Sequence, residues 1–466
     1  MKRKLVVPLS LAAAGVSLLF FRVDFVSSQQ PFGGGGGSQF KASDPGVRGG
    51  AAGAGGQIAG LSFNQAAFFA SGLADFNSAE DVPDGLGPRM NLDSCGGCHL
   101  QPAVGGTSPF VNPQVAFANK DGGTDSVPSF ISANGPVREA RFVKNPDGTA
   151  DGGVHALFTI TGRTGATGCT LAQPDFATQL AAHNVIFRIP TPTFGAGLME
   201  QIPDAAIAAG QASNSGQKSQ LGIKGKVNMQ VPGNTITGLT NNNGNDGTVA
   251  RFGWKAQNKS LLLFSGEAYN VEMGITNELF QNERDETPTC QFATVPNGVL
   301  NLDATTPIQT LSAIENFSNF MRFLAPPTPS TTTPGGANSI AEGRDLFTST
   351  GCALCHTPSF TTSKSTIAAL SMQPVNLFSD LLVHDMGDGL ADGVSQGQAG
   401  PREFRSAPLW GLGQRIFFLH DGRTADLLRA IKEHSSNGSE ANGVISKFNN
   451  LRESDKQDLL NFLRSL

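Results

Sequence analysis

Apolar residues recur at helical spacing in five stretches of the chain. Ser62-Phe63-Asn64-Gln65 has the form of a capping box, and Phe69 and Leu73 follow four residues apart, so a helix is predicted from about residue 62. Ser260 to Phe280 and Ile314 to Leu324 read as two further helical stretches. Ser339-Ile340-Ala341-Glu342 is a second capping-box pattern, with Ile340, Gly343 and Phe347 on one helical face. Ser454-Asp455-Lys456-Gln457 reads as the cap of a last helix, whose Leu459, Leu463 and Leu466 form a stripe able to pack on that face. From Gln101 to about Leu300 the chain is rich in Gly, Asn, Pro and Thr, with short apolar runs such as Val154 to Ile160 and Val185 to Ile189. The pattern predicts a mainly α fold with irregular loops and a few short strands.

Composition marks the boundaries. Lys2-Arg3-Lys4, an apolar run from Leu5 to Phe21 and Val26-Ser27-Ser28 have the form of a secretory signal, residues 1–28. The apolar run is at the low limit for a membrane span, so an uncleaved anchor is the alternative, and membrane attachment is expected only in that case. Gln29 to Gly60 is dominated by Gly, Ala and Ser and reads as a flexible tether, residues 29–60. Pro326 to Asn338 is a Pro/Thr/Gly linker separating residues 61–325 from residues 339–466.

The chemistry is carried by Cys95-Gly96-Gly97-Cys98-His99 and its near-repeat Cys352-Ala353-Leu354-Cys355-His356. In this spacing two thiols can bond the vinyl groups of a haem while the adjacent imidazole reaches the iron. Two covalently bound haem c groups are therefore expected, one in each of two cytochrome c-like domains, the N-terminal one with large insertions. A lone Cys-x-x-Cys would also suit a redox dithiol or half a zinc site, but the following histidine in both copies argues for haem.

The remaining cysteines, Cys169 and Cys290, are expected to pair in an oxidising compartment. Export to the periplasm agrees with both features. Formal net charge is -5, and residues 1–28 carry four basic and one acidic side chain, so the chain without them is more acidic still. No basic cluster follows the leader, which argues against a nucleic-acid partner and suits a basic redox partner or a neutral small substrate.

Beyond the two motif histidines there are His155, His183, His384, His420 and His434. Leu427, Ile431 and His434 fall at i, i+4, i+7, so a helix burying the two aliphatics turns this imidazole toward the core, and His434 is the candidate sixth ligand of the second haem. His155 ranks slightly ahead of His183 as a distal ligand of the first haem. His384 and His420 lie in Gly- and Asp-rich turns and are expected to form haem-propionate or backbone hydrogen bonds.

The chain resembles the dihaem oxidoreductases related to bacterial dihaem cytochrome c peroxidases. The resemblance rests on Gly85-Leu-Gly-Pro88 before the first haem motif, Pro192-Thr-Phe-Gly-Ala-Gly-Leu-Met-Glu200, Arg251-Phe-Gly-Trp-Lys-Ala256, Asn270-Val-Glu-Met-Gly-Ile-Thr276, Leu382-Val-His-Asp-Met-Gly-Asp-Gly389 and Phe418-Leu-His-Asp-Gly-Arg423. It implies a peroxidase that reduces hydrogen peroxide or another small oxidant, with a small redox protein as electron donor. Electrons would pass from the C-terminal haem to the N-terminal one. By the same resemblance Glu272 is the distal acid–base group, Trp254 lies between the haems, and a calcium ion bridges the domains, although no EF-hand-like loop is visible. The relatives usually carry methionine at a position similar to that of His434, so this chain departs from their pattern, and a bis-histidine iron should sit at lower potential. A dihaem electron carrier without peroxidase activity and a dioxygen-activating haem oxygenase are the alternative functions.

Overall fold

Two pairs of helices in close contact form the frame, each pair meeting at a glycine. The computed structural model describes residues 40–229, 235–236, 239–240, 248–293 and 296–466. The expected signal sequence and residues 29–39 of the expected tether lie outside the described residues.

The first pair is α1 (Phe63–Asn77) with a helix near residue 320. Ser62 Oγ accepts from the Gln65 amide while the Gln65 side chain accepts from the Ser62 amide, so the expected capping box forms. A β-carbon at Gly72 would lie 2.3 Å from the Asn316 carbonyl oxygen, so α1 approaches its neighbour backbone to backbone. Next in the chain, β1 (Glu139–Phe142) is the centre of a three-stranded antiparallel sheet between β2 (Val154–His155) and β3 (Val185–Arg188). Its register sets Glu139 beside Arg188 and Ala140 beside both His155 and Phe187.

The expected helix of Ser260 to Phe280 is α2 (Leu261–Met273), which ends at Gly274. Gly274 has φ 73°, and its N–H turns back to the Tyr269 and Asn270 carbonyls, which stops the helix earlier than the apolar pattern suggests. Partner to α1 is α3 (Ala313–Phe323), opened by a Ser312–Glu315 capping box and burying Phe317 and Phe320 against Phe76.

The second pair is α4 (Gly336–Thr350) and a C-terminal helix. Here the expected cap is corrected: α4 starts at Gly336, after Gly335 in the left-handed region, and Ser339 lies inside it. The Ser339 hydroxyl instead donates to Asp458 and accepts from Asn461, a tertiary use that a local pattern cannot reveal. After α4 come β4 (Val383–Asp385) and β5 (Glu403–Arg405), paired antiparallel, then the short α5 (Leu427–Lys432). The last helix, α6 (Glu453–Ser465), begins one residue before the expected cap, so Ser454 is helical and makes no cap. Its Leu459, Leu463 and Leu466 pack with Ile340 and Phe347 in one cluster, as the stripe predicts.

The larger core, built on α1, α2 and α3, also takes in Leu370, Val375, Leu377, Leu381, Leu382 and Trp410 from beyond the Pro-rich stretch. The described part of the expected tether is not loose. Asp44 receives the buried Arg464 guanidinium at 2.6 and 2.7 Å, Arg48 N donates to Gly413 O, and Ala325 and Ile58 exchange backbone bonds with Gly56 and Phe323. A glycine-rich segment can lie this close to other backbone because little side chain intervenes. Cys169 and Cys290 form the expected disulfide.

A β-carbon at Gly343 would fall 2.0 Å from the Asp458 carbonyl oxygen. Replacing Gly343 by Ala is expected to force α4 and α6 apart and to lower stability by about 2 kcal/mol, read as a lower denaturant midpoint with an unchanged slope.

Candidate functional site

Each Cys-x-x-Cys-His turn borders a cavity, and the helix pairs supply an aromatic ring to each. At the first, Ser94 Oγ accepts from Gly97 N and closes the turn Cys95–Cys98. His99 Nδ1 donates to the Gly106 carbonyl at 3.0 Å, and Phe76 of α1 meets the ring edge-on. Burial, with Glu80 second, pushes the Cys95 thiol up to about 12. The space within the first cavity and at its mouth amounts to about 1180 Å³.

Carboxyl groups gather beside this cavity. Glu272, in the last turn of α2, accepts from Asn91 Nδ2 at 2.8 Å and is hydrogen-bonded to Glu139 of β1. Glu139 accepts from Arg141 Nε at 3.0 Å. Strand alternation puts Glu139 and Arg141 on one face of β1, and the register adds Arg188 beside Glu139. Burial and then the Glu139 charge raise the Glu272 pKa well above the ordinary carboxylate value. Burial opposes ionisation of Glu139 too, but Arg141, the bond from Glu272 and Arg188 outweigh it and hold its pKa low. Glu267, one turn earlier on α2, is pushed up to about 7 by burial. Glu139 and Arg141 were not found from the sequence; the alternation in Glu139-Ala140-Arg141-Phe142 was the available signal.

The second cavity, about 1370 Å³ with the open space at its mouth, is bordered by Cys352, Cys355 and four histidines, His356, His384, His420 and His434. His356 Nδ1 donates to Phe378 O at 3.1 Å and His434 Nδ1 to Ala430 O at 2.8 Å, which leaves Nε2 of both rings with its lone pair. Burial, and next the nearby His434, push the His356 pKa down to about 4. Leu427 and Ile431 of α5 border the same cavity, so the helical spacing delivers His434 as expected, two residues past the helix end.

Trp254 borders both cavities, its Nε1 donating to Ile189 O at 2.9 Å. Its indole meets His420 edge-on, and His420 stacks on Phe404 with ring centres 4.3 Å apart. Burial, helped by Arg188, Arg423 and Lys255, drives the His420 pKa well below its usual value, so this ring is neutral. His384 does not make the expected backbone bonds: it lies on β4, and its ring is buried between the carboxyl groups of Asp380 (3.1 Å) and Glu440 (2.9 Å).

His155 is not brought to the first cavity. Cross-strand pairing with Ala140 turns its ring to the face opposite Glu139 and Arg141, where it stacks on Phe142 at 3.6 Å and bonds Asp151 at 2.9 Å. It borders a separate cavity with Arg284 and Asp285. His183 is exposed in a turn with φ 54°. Among the described residues no group of three or more His, Cys, Asp and Glu could hold a metal ion, so the calcium ion that the resemblance implies has no such cluster there.

A family model described as "Di-haem oxidoreductase, putative peroxidase" matches residues 139–466. No curated protein matches the chain. Among solved structures it is similar to the hydrazine synthase of Kuenenia stuttgartiensis, pressurised with xenon, at 17% identity over 34% of this chain and 56% of that chain, TM-score 0.22. The match thus spans little more than half of that synthase chain. A MauG-like protein associated with microbial copper homeostasis matches at 18% identity over 59% of this chain and 89% of that one, TM-score 0.27. The diheme peroxidase BthA from Burkholderia thailandensis E264 matches at 14% identity over 59% of this chain and 86% of that one, TM-score 0.28.

Replacing His384 by Leu would leave Asp380 and Glu440 facing one another without the imidazolium between them. A loss of about 3 kcal/mol is expected, measured by chemical denaturation; because the His384 pKa is raised well above its ordinary value, the loss is fully present below about pH 6.5 and shrinks as pH rises toward the raised value.

Proposed function

Because the chain belongs to the di-haem oxidoreductase family, we propose that it is an exported peroxidase that reduces hydrogen peroxide to water with electrons from a small redox protein. The observation that carries this reading is the contrast between the cavities. The His356 cavity is bordered by three further histidines, of which His434 keeps its Nε2 free while His384 is bonded to Asp380 and Glu440, whereas among the described residues His99 is the one histidine bordering the first cavity, which is lined with carboxyl groups instead. One site therefore suits electron transfer and the other suits chemistry on a small ligand.

The residues present fit two haem c groups. Cys95 and Cys98 would hold the first with His99 as ligand, and Cys352 and Cys355 the second with His356 and His434. When bound, these groups supply redox-active iron at both sites and a place for peroxide at the first. Glu272 moves the proton: its buried carboxyl gives one to the departing oxygen of peroxide. Trp254, bordering both cavities, shortens the path for electrons between them. His434 in place of a thioether keeps the second site at lower potential. Phe76 of α1, Val271 of α2 and Phe317 of α3 line the first cavity around the acid group. The leader and the Cys169–Cys290 disulfide fit an oxidising, periplasmic location.

Purified from an exporting host, the chain is expected to retain two haems after denaturation, and the Cys98→Ala variant to lose covalent attachment at the first, read by mass. Half-reduced protein is expected to react rapidly with hydrogen peroxide in stopped flow, and Glu272→Gln to slow that reaction by about 100-fold or more. A low-spin protein inert to peroxide would make it an electron carrier. His434→Met is expected to raise the potential of the second haem in a redox titration.

A further inference from the structure

Two carboxyl groups cannot hydrogen-bond to one another without a proton between them. Glu139 and Glu272 form such a pair, and both border the first cavity together with Cys95, Cys98 and His99. They reach it from unrelated elements, Glu139 on β1 and Glu272 on α2. Their other partners differ in charge. Glu139 receives the Arg141 guanidinium at 3.0 Å and lies beside Arg188 in the sheet register, whereas Glu272 receives the neutral Asn91 amide at 2.8 Å. The guanidinium groups favour the negative charge on Glu139, so the shared proton belongs to Glu272.

Resting on the peroxidase reading above, we infer that Glu139 and Glu272 work as one acid pair holding one proton and one negative charge, with Glu139 a positioning residue that keeps Glu272 in its acid form at neutral pH. The logic is that of two carboxyls close enough that both cannot ionise. The pair is acid and base at once. As the O–O bond of hydrogen peroxide breaks, its electron pair goes to the departing oxygen, which takes the Glu272 proton and leaves as water. The same pair takes up the other peroxide proton, from the oxygen that stays, as it gives this one away, so it holds one proton and one negative charge before and after the cleavage. That second oxygen becomes water when two electrons from the donor protein and two protons from solvent reach it. Over the cleavage step the pair exchanges no proton with solvent, which suits a buried site.

Other charged groups face the pair and set its response to pH. Arg141 lies on the Glu139 strand and Arg188 on the next, while Arg284, from the segment after α2, donates to Val154 O and Val271 O and feels both carboxyls. Glu267 on α2 borders the same cavity, its carboxyl bonded to the Asn258 amide. Titration of Glu267 would add negative charge near the pair and strengthen retention of the shared proton.

The test combines infrared and stopped-flow measurements on the holoprotein. Wild type at neutral pH is expected to show a protonated-carboxyl C=O band that disappears in Glu272→Gln; its absence from wild type would overturn the shared proton without needing any variant to fold. In Glu139→Gln, an amide faces Glu272, the neighbouring charge is gone, and Glu272 should ionise at lower pH. That variant is expected to lose the band at neutral pH, to shift the alkaline limb of the peroxide-reaction profile to lower pH, and to react about tenfold slower at mildly alkaline pH. An unchanged band and profile in Glu139→Gln, with Glu272→Gln still slow, would overturn the pairing while leaving the peroxidase reading intact. Normal peroxide reduction in Glu272→Gln would overturn both.

Discussion

The structure depends on two places where helices touch backbone to backbone. Gly72 on α1 admits α3, and Gly343 on α4 admits α6, each at a distance that no side chain could share. The consequence is the same in both halves. A phenylalanine from the first helix of each pair, Phe76 or Phe347, is fixed beside a motif histidine, with ring centres 6.0 and 6.4 Å apart. Close contact of the helices thus sets where each Cys-x-x-Cys-His turn can sit, and a cavity opens beside it.

Between the cavities the interior is polar and charged. Asp392 receives Arg188 and Lys255, Lys255 lies over the Phe404 ring at 4.1 Å, and Phe404 stacks on His420. Burial, opposed chiefly by Asp392, lowers the Lys255 pKa to about 7. Burial keeps His420 neutral, with repulsion from Arg188, Arg423 and Lys255 adding to it, and Phe404, His420 and Trp254 form a run of neighbouring rings. Buried ion pairs of this kind contribute little net stability, but removing one partner is costly, which holds the arrangement in a single geometry.

The two cavities share a motif and differ in everything around it. In one, acidic residues from β1 and α2 converge with arginines. In the other, two imidazoles each use Nδ1 on a backbone carbonyl and keep Nε2 for other bonds. A common ligand turn is therefore specialised by what distant segments bring to it, in line with the division of labour expected of an oxidoreductase with two redox centres.

The sequence by itself determined whatever depends on neighbours within a turn or two. The two Cys-x-x-Cys-His turns, the α1 capping box, the leucine stripe of α6 and the approach of His434 to the second cavity through Leu427 and Ile431 are local patterns, set by spacing within a few residues. Glu272 and Trp254 were legible through resemblance, and both border the first cavity. Only the tertiary structure decided the rest. Strand pairing turned His155 away and Glu139 inward, a choice of sheet face made by residues far along the chain. Ser339 gave up its capping role for Asp458, and Asp44 was drawn from the glycine-rich segment by Arg464. Hydrogen bonds and charge pairs across hundreds of residues leave no periodicity to read, because their partners are chosen by where the packed core brings them together.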